Sequence, residues 1–427
     1  MNYHEAIQYL YSRLPVFHHI GKDAYKPGLE NTTSLLNALH NPQTKYKTVH
    51  IAGTNGKGSV SHMLSAVLQK AGYTTGLYTS PHLVDFRERI RINGEKIPEQ
   101  YVVNFVEKHE SLFEKIQPSF FEATMTMAFA YFADKEVDVA IVETGLGGRL
   151  DSTNIIQPEL SVITNISFDH TQLLGDTLEK IAAEKAGIIK HATPVVIGES
   201  QPATRPVFRR KAKEMDAPIL FADELLAIRS GKTESGKLQV TTSDNRRFRV
   251  GLTGNYQLKN VVTTLVAIGQ LQKQGFHISA ANIEDGLADV NKITGLQGRW
   301  QIVSDSPKIV LDTGHNVAGI SWVAEQLKAE QYNTLRIVVG MVNDKDITAV
   351  LSLLPRNAVY YFTQADIARA LPADDLQRQA SVFGLRGGSF SSVKMAVEQA
   401  ISESSPADMV FVGGSNFVVG EALPYFR

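Results

Sequence analysis

Short β-branched runs alternate with amphipathic stretches along most of the chain, which predicts an α/β architecture with a mostly parallel sheet flanked by helices. In the first part the strand-like runs fall at 48–51, 75–80, 137–143, 160–166 and 194–198. Apolar residues at helical spacing predict helices over 59–71, 121–132 and 178–189. Residues 228–252 read differently, as short alternating stretches broken by Ser230-Gly231, Ser235-Gly236 and Asp244-Asn245. These are turn signals of β-hairpins at a domain edge. A helix pair follows at 257–274 and 278–290, then Thr294-Gly-Leu-Gln-Gly298, which reads as a hinge. Beyond it a second alternation places strands at 308–312, 336–341, 358–363 and 408–413. Two domains are expected, 1–296 and a smaller Rossmann-like α/β unit over 297–427, because 427 residues exceed a single core.

The run Ile51-Ala-Gly-Thr-Asn-Gly-Lys-Gly-Ser59 lies between the first strand and the 59–71 helix. Glycines let consecutive backbone N–H groups converge on phosphate oxygens, and the helix N-terminus adds its partial positive charge. Lys57 can reach the terminal phosphates, and the Ser59 hydroxyl can hold magnesium. Gly53, Thr54, Asn55, Gly56, Lys57, Gly58 and Ser59 are therefore nucleotide-binding candidates, with ATP and Mg²⁺ as the expected ligand. The spacing departs from the standard P-loop, since two residues separate Gly53 from Gly56 and Gly58 intervenes between Lys57 and Ser59. This variant is the one seen in the Mur-ligase superfamily.

Composition narrows the partners. The net charge is −1 with acids and bases balanced, so neither nucleic acid nor an anionic membrane is expected. The N-terminus lacks a basic region followed by an apolar core, and no 18-residue apolar run occurs, so a cytoplasmic protein is expected. With no cysteine, any metal must be held by oxygen or imidazole.

Several further segments stand in order with the glycine loop. They are Ser80-Pro-His-Leu83 with Glu88-Arg-Ile90, Val142-Glu-Thr-Gly-Leu-Gly-Gly-Arg149 with Asp151-Ser-Thr-Asn154, Asp169-His170, Glu184-Lys-Ala-Gly-Ile188, Gly298-Arg299 and His315-Asn316. Together they resemble the folylpolyglutamate synthase and dihydrofolate synthase family over nearly the whole chain. The resemblance implies a P-loop Mur-ligase-type central domain and a C-terminal ligase domain. It also implies ATP-dependent ligation of L-glutamate to dihydropteroate or to folates through an acyl phosphate, releasing ADP and phosphate. A cell-wall Mur-type amino-acid ligase is the alternative. Two departures stand out: Leu311-Asp-Thr-Gly-His-Asn316 replaces the usual Leu-Asp-Gly-Ala-His-Asn, and Gly254-Asn-Tyr-Gln257 replaces Gly-x-His-Gln.

The resemblance also implies site roles. Ser59 and Glu143, the latter at a strand's C-terminal end, would hold Mg²⁺, and His170 resembles an additional ligand, for two ions in all. A hydrogen-bonded loop histidine is the plain reading of His170. Lys185 matches a lysine that CO₂ carbamylates, whereas on its own it reads as a solvated lysine in a helix that Asp176 can cap. Asn260 matches an asparagine near the adenine, Arg299 an arginine on the ATP phosphates, and Asp312 the residue that holds the ribose. Arg299 alone would read as a surface ion pair. His315 resembles a residue near the reacting groups or the glutamate. Ser415 would contact the incoming glutamate or simply make a turn. For the pterin or aminobenzoate end the candidates are Ser80, His82 and Leu83 with Arg149 and Asp151, and Phe86 or His82 could stack on a flat ring. Met125, Met127, Phe129 and Phe132 read as core. A monomer is expected, and K⁺ is admitted as an activating ion.

Overall fold

The computed structural model describes residues 1–15, 28–343 and 346–426. The chain divides into two compact units, Met1–Gly251 with Tyr256–Leu296, and Leu252–Asn255 with Gln297–Arg427. The short excursion Leu252–Asn255 is tied into the second unit by Thr253 Oγ1, which donates to Trp300 O at 3.0 Å, and by Asn255 N, which donates to Gln326 Oε1 at 2.7 Å.

The first unit is built on an eight-stranded sheet. Its strands are β1 (Lys47–Ala52), β2 (Thr75–Tyr78), β3 (Ile90–Ile92), β4 (Glu95–Lys96), β5 (Val139–Glu143), β6 (Leu160–Ile163), β7 (Val195–Ile197) and β8 (Ile219–Phe221), in spatial order β4-β3-β2-β5-β1-β6-β7-β8. The pairs from β2 through β8 are parallel, and β3 and β4 add an antiparallel edge. Central strands such as β5 are buried at every position, which is why they read as unbroken apolar runs rather than alternating ones. In the Lys57–Lys70 helix, which packs behind the sheet, Ser59 through Leu68 are buried. In the Phe120–Asp134 helix, the buried side chains include Met125, Met127, Phe129 and Phe132. A helix apolar on all sides belongs in a core, where each such side chain contributes about 1.5–3 kcal/mol. A capping box starts it: Ser119 Oγ accepts from Glu122 N, and Glu122 Oε2 from Ser119 N.

The hairpin region forms a separate antiparallel sheet of β9 (Ile228–Glu234), β10 (Lys237–Thr242) and β11 (Arg247–Val250). The helix pair is Gln257–Lys273 and Ala280–Ala288. The Thr294–Gly298 run is less uniform than a hinge: Thr294 is fully buried at the end of a helix with its hydroxyl paired to His62, and only Gly295 and Gly298 have positive φ, +70° and +69°. The second unit holds β12 (Gln301–Asp305), β13 (Lys308–Asp312), β14 (Leu335–Val339), β15 (Val359–Thr363), β16 (Arg386–Phe390) and β17 (Met409–Gly413), ordered β12-β13-β17-β14-β15-β16. All its pairs are parallel except β12 with β13. No helix among the described residues is long and apolar enough to cross a membrane.

Candidate active site

The glycine loop leaves the end of β1 and turns into the Lys57–Lys70 helix. Gly53 has φ +147°, and a Cβ there would lie 1.9 Å from Thr164 Oγ1; Gly56 has φ +85°, with Asn260 Oδ1 2.3 Å from a Cβ position. Neither position admits a side chain without displacement. The loop is braced by the chain leaving β6. Thr54 N donates to Asn165 O at 2.9 Å, Asn55 N to Asn165 Oδ1 at 3.0 Å, and Thr164 Oγ1 to Asn55 O at 2.6 Å. Thr54 Oγ1 donates to Ser167 O at 3.1 Å. This changes the expected division of labour in the loop. The amides of Thr54 and Asn55 serve the brace, so the N–H groups left to face an anion are those opening the helix, from Lys57 to Ser59, which have no intrahelical acceptor. The 160–166 strand accordingly stops at Ile163, because Thr164 to Ser167 turn aside to hold the loop.

Lys57 Nζ donates to Gly53 O at 3.1 Å and Thr54 O at 3.3 Å, folding over its own loop. Ser59 is buried, and its Oγ accepts from Gln257 Nε2 at 3.1 Å while Gln257 Oε1 accepts from Asn260 Nδ2 at 2.8 Å. Gln257 was missed as a site residue; its signal was its place at the end of Gly254-Asn-Tyr-Gln257. Glu143 ends β5 in register with Ile51 of β1 and is 4% exposed. His170 sits at φ +49° just past the Ser167 brace, with Nε2 3.9 Å from Asp169 Oδ1. No three His, Asp or Glu side chains converge as a metal cage among the described residues. Ser59 and Glu143 nevertheless suit magnesium, which takes one or two protein oxygens and fills its other positions from phosphates and water.

Lys185 differs from the solvated reading. It is 4% exposed, and no hydrogen bond or ion pair to its Nζ forms among the described residues. Burial and the nearby Lys57 ammonium push its pKa down to about 7, opposed by the Asp169 and Asp151 carboxylates. Thr177, not Asp176, caps the helix: its side chain accepts from Lys180 N, and Asp176 pairs with Lys180 instead.

Asp151 is fully enclosed and organises the Gly145–Asn154 loop. Its oxygens accept from Leu146 N at 2.8 Å, Thr153 N at 3.0 Å and the Thr153 hydroxyl. Burial raises its pKa against those hydrogen bonds. Arg149 is more open and pairs with Glu184 at 2.9 Å. In the Ser80–Leu83 loop, Glu88 accepts from the backbone N–H groups of Leu83, Val84 and Asp85 at 2.8, 3.3 and 3.0 Å. His82 is held at both ring nitrogens: Arg89 Nε donates to Nδ1 at 2.7 Å, which places the ring proton on Nε2, 3.2 Å from the Tyr11 hydroxyl. Phe86 packs against His82 at 6.3 Å and is buried, so it serves the loop's core rather than an open stacking face. Arg89 and Tyr78, both close enough to Glu143 to feel its charge, were not singled out from sequence.

The second unit gathers its own candidates where β13 and β17 end side by side, Asp312 in register with Gly413. Asp312 Oδ2 accepts from Trp300 N and Oδ1 from Gly314 N, each at 2.7 Å. Trp300 is buried at φ +46°, an unusual backbone for a bulky residue, held by that bond and by Thr253. Arg299 precedes it, half-buried, with Nη1 donating to Gly298 O at 3.2 Å. His315 Nδ1 lies 3.0 Å from Thr313 O, which directs Nε2 as the acceptor of a neutral ring. Ser415 caps the Asn416–Ala422 helix, accepting from Phe417 N at 3.2 Å.

Residues 51–268 match the family model for the Mur ligase middle domain, and residues 298–416 that for the Mur ligase glutamate ligase domain. A dihydrofolate synthase/folylpolyglutamate synthase of Bacillus subtilis is 36% identical, the match covering 88% of each chain. The chain belongs to this family of Mur ligases. Among solved members, the Escherichia coli enzyme in complex with DHPP and ADP aligns with a TM-score of 0.85 at 30% identity, covering 100% of this chain and 97% of that one. A bifunctional folylpolyglutamate synthase/dihydrofolate synthase with Mn, AMPPNP and L-glutamate bound aligns at 0.83, also 30% identical, covering 100% and 98%. The family's two-domain α/β fold is the one described above, with the glycine loop inside the middle-domain match and Arg299, Asp312 and His315 inside the ligase-domain match.

Proposed function

We propose that this chain joins L-glutamate to the carboxylate of dihydropteroate and of folates, converting ATP to ADP and phosphate. The observation that carries the reading is the glycine loop with Lys57 and Ser59 at the head of a helix, with the buried Glu143 and a buried Lys185 whose pKa is lowered to about 7, in a member of a folate-ligating family. A carboxylate is a poor electrophile. ATP makes it one by phosphorylating it, and the glutamate amine then displaces phosphate through a tetrahedral intermediate. Both steps are problems of charge.

The Lys57–Ser59 amides and the Lys57 ammonium hold the transferring phosphoryl group. Ser59 and Glu143 would carry a divalent cation, with His170 as a further ligand; such an ion neutralises charge on the phosphate oxygens. Gln257, by donating to Ser59 Oγ, leaves the second lone pair of that oxygen for the metal. In the ligase-domain match, Arg299 is assigned to the nucleotide phosphates and Asp312, a buried carboxylate at the C-terminal end of β13, to the ribose, whose hydroxyls can donate to it. His315 and Ser415 are assigned to the incoming glutamate. At the folate end, the fixed Ser80–Leu83 loop and exposed Arg149 are the binding groups, and Asp151 acts by shaping the loop that carries Arg149.

Lys185 fits a carbamate. Its neutral amine is well populated near pH 7, so it can attack CO₂, form a C–N bond and release a proton, replacing a buried cation with an anion beside Lys57. The whole reading is tested by ADP release with dihydropteroate or tetrahydrofolate, each with and without glutamate. Amide product and ADP should appear together only when all substrates are present. Steady ADP release that ignores the folate would contradict it.

A further inference from the structure

The brace on the phosphate loop ends in a charge relay that the reaction does not itself require. Asn165 uses its backbone carbonyl for Thr54 N and its side-chain Oδ1 for Asn55 N, while its Nδ2 donates to Glu199 Oε1 at 3.2 Å. Glu199 Oε2 is paired in turn with the Lys259 ammonium, from the first turn of the Gln257–Lys273 helix. An amide can face either way, and here its surroundings choose. A carboxylate only accepts, so Glu199 holds the NH₂ toward itself and the oxygen toward the Asn55 amide. A reversed amide would set donor against donor at Asn55 and oxygen against oxygen at Glu199.

We propose that Asn165 is a positioning residue for the nucleotide, oriented by Glu199 and Lys259, and that this relay keeps the Thr54 and Asn55 amides out of the phosphate cradle. The proposal rests on the nucleotide reading of the loop. It predicts a reciprocal swap. Asn165→Asp keeps an acceptor for Asn55 but places two carboxylates face to face, which pulls the loop out of register. Adding Glu199→Gln restores a donor toward position 165 and removes the repulsion.

The test measures ATP-analogue affinity and the hydrogen exchange of the Asn55 amide in the wild type, Asn165→Asp and Asn165→Asp/Glu199→Gln, with the KM for each substrate. ATP affinity should fall roughly tenfold in the single variant, the scale of one hydrogen bond to a charged group, and recover to within about twofold in the double. Asn55 protection should fall and recover in parallel, while the glutamate KM stays put. A single variant with unchanged ATP affinity, or a double variant no better than the single, overturns the relay. A protected Asn55 amide in a wild type that binds no ATP analogue overturns the nucleotide reading, and with it the relay's purpose.

Discussion

At the scale of single residues, the two lysines assigned to the proposed site, one in the glycine loop and one at a helix end, sit in contrasting environments. Lys57 lies over an accessible loop and Lys185 is sealed among buried groups. Lys57→Ala should leave the fold intact and abolish ligation, losing on the order of 3 kcal/mol of transition-state stabilisation or more. Turnover near wild type, measured as ADP release, would remove Lys57 from the phosphate site. Lys185 makes a prediction about pH. Its folded pKa is about 7 against an ordinary value of 10.5, so between those values the unfolded chain binds a proton that the folded chain does not. Stability attributable to this residue therefore rises with pH across that window, and the cost of burying the ammonium is full below about pH 7. In CO₂-free buffer, Lys185→Met should be more stable than wild type, with the gap narrowing by about 1.4 kcal/mol per pH unit from pH 7 toward 10. Denaturant titrations at several pH values check this, and a pH-independent gap would mean the amine is not buried as a cation. Activity lost in Lys185→Ala should be partly restored by small carboxylates if a carbamate is the working form. Burial of Lys185 was not legible in advance, because Glu184-Lys185 followed by Ala-Gly-Ile looks like any solvated helix end. Asp151 was legible as special, but sequence spacing does not reveal that its oxygens accept hydrogen bonds from its own loop.

At the scale of elements, the legible features were those buried on both sides. β5 and β17 announce themselves as apolar runs because parallel strands have no solvent face, whereas β1 is marked by its β-branched residues. β16, Arg-Gly-Gly-Ser-Phe, lies at the sheet's edge and stays partly exposed, so its sequence carries no strand signal. β3 and β4 are too short to show a period. The glycine loop and the helix it opens were legible, but its brace was hidden, because Thr164 and Asn165 read as the end of a strand. The brace makes Gly53 a sharp test of the element. A Cβ there meets Thr164 Oγ1 at 1.9 Å on a backbone at φ +147°, so Gly53→Ala should cost about 1–3 kcal/mol locally and weaken ATP-analogue binding more than thermal stability. Calorimetric binding at unchanged affinity would show that the loop tolerates displacement.

At the scale of the whole molecule, the two alternations of strand and helix, separated by a glycine-rich stretch, were visible in the pattern of apolar residues. What pattern could not show was the return of Leu252–Asn255 to the second unit, since four residues between a hairpin sheet and a helix carry no period of their own. The chain thus passes from one unit to the other and back before Gln257, whose side chain reaches Ser59. The function assigned to this arrangement is amide formation through an acyl phosphate. Its most direct test uses dihydropteroate labelled with ¹⁸O in both carboxylate oxygens, turned over with ATP and glutamate, followed by mass analysis of the phosphate released. The account predicts one labelled oxygen transferred to phosphate for each amide bond formed, because the carboxylate oxygen that attacks ATP leaves with the phosphoryl group. Amide product accompanied by unlabelled phosphate would contradict it.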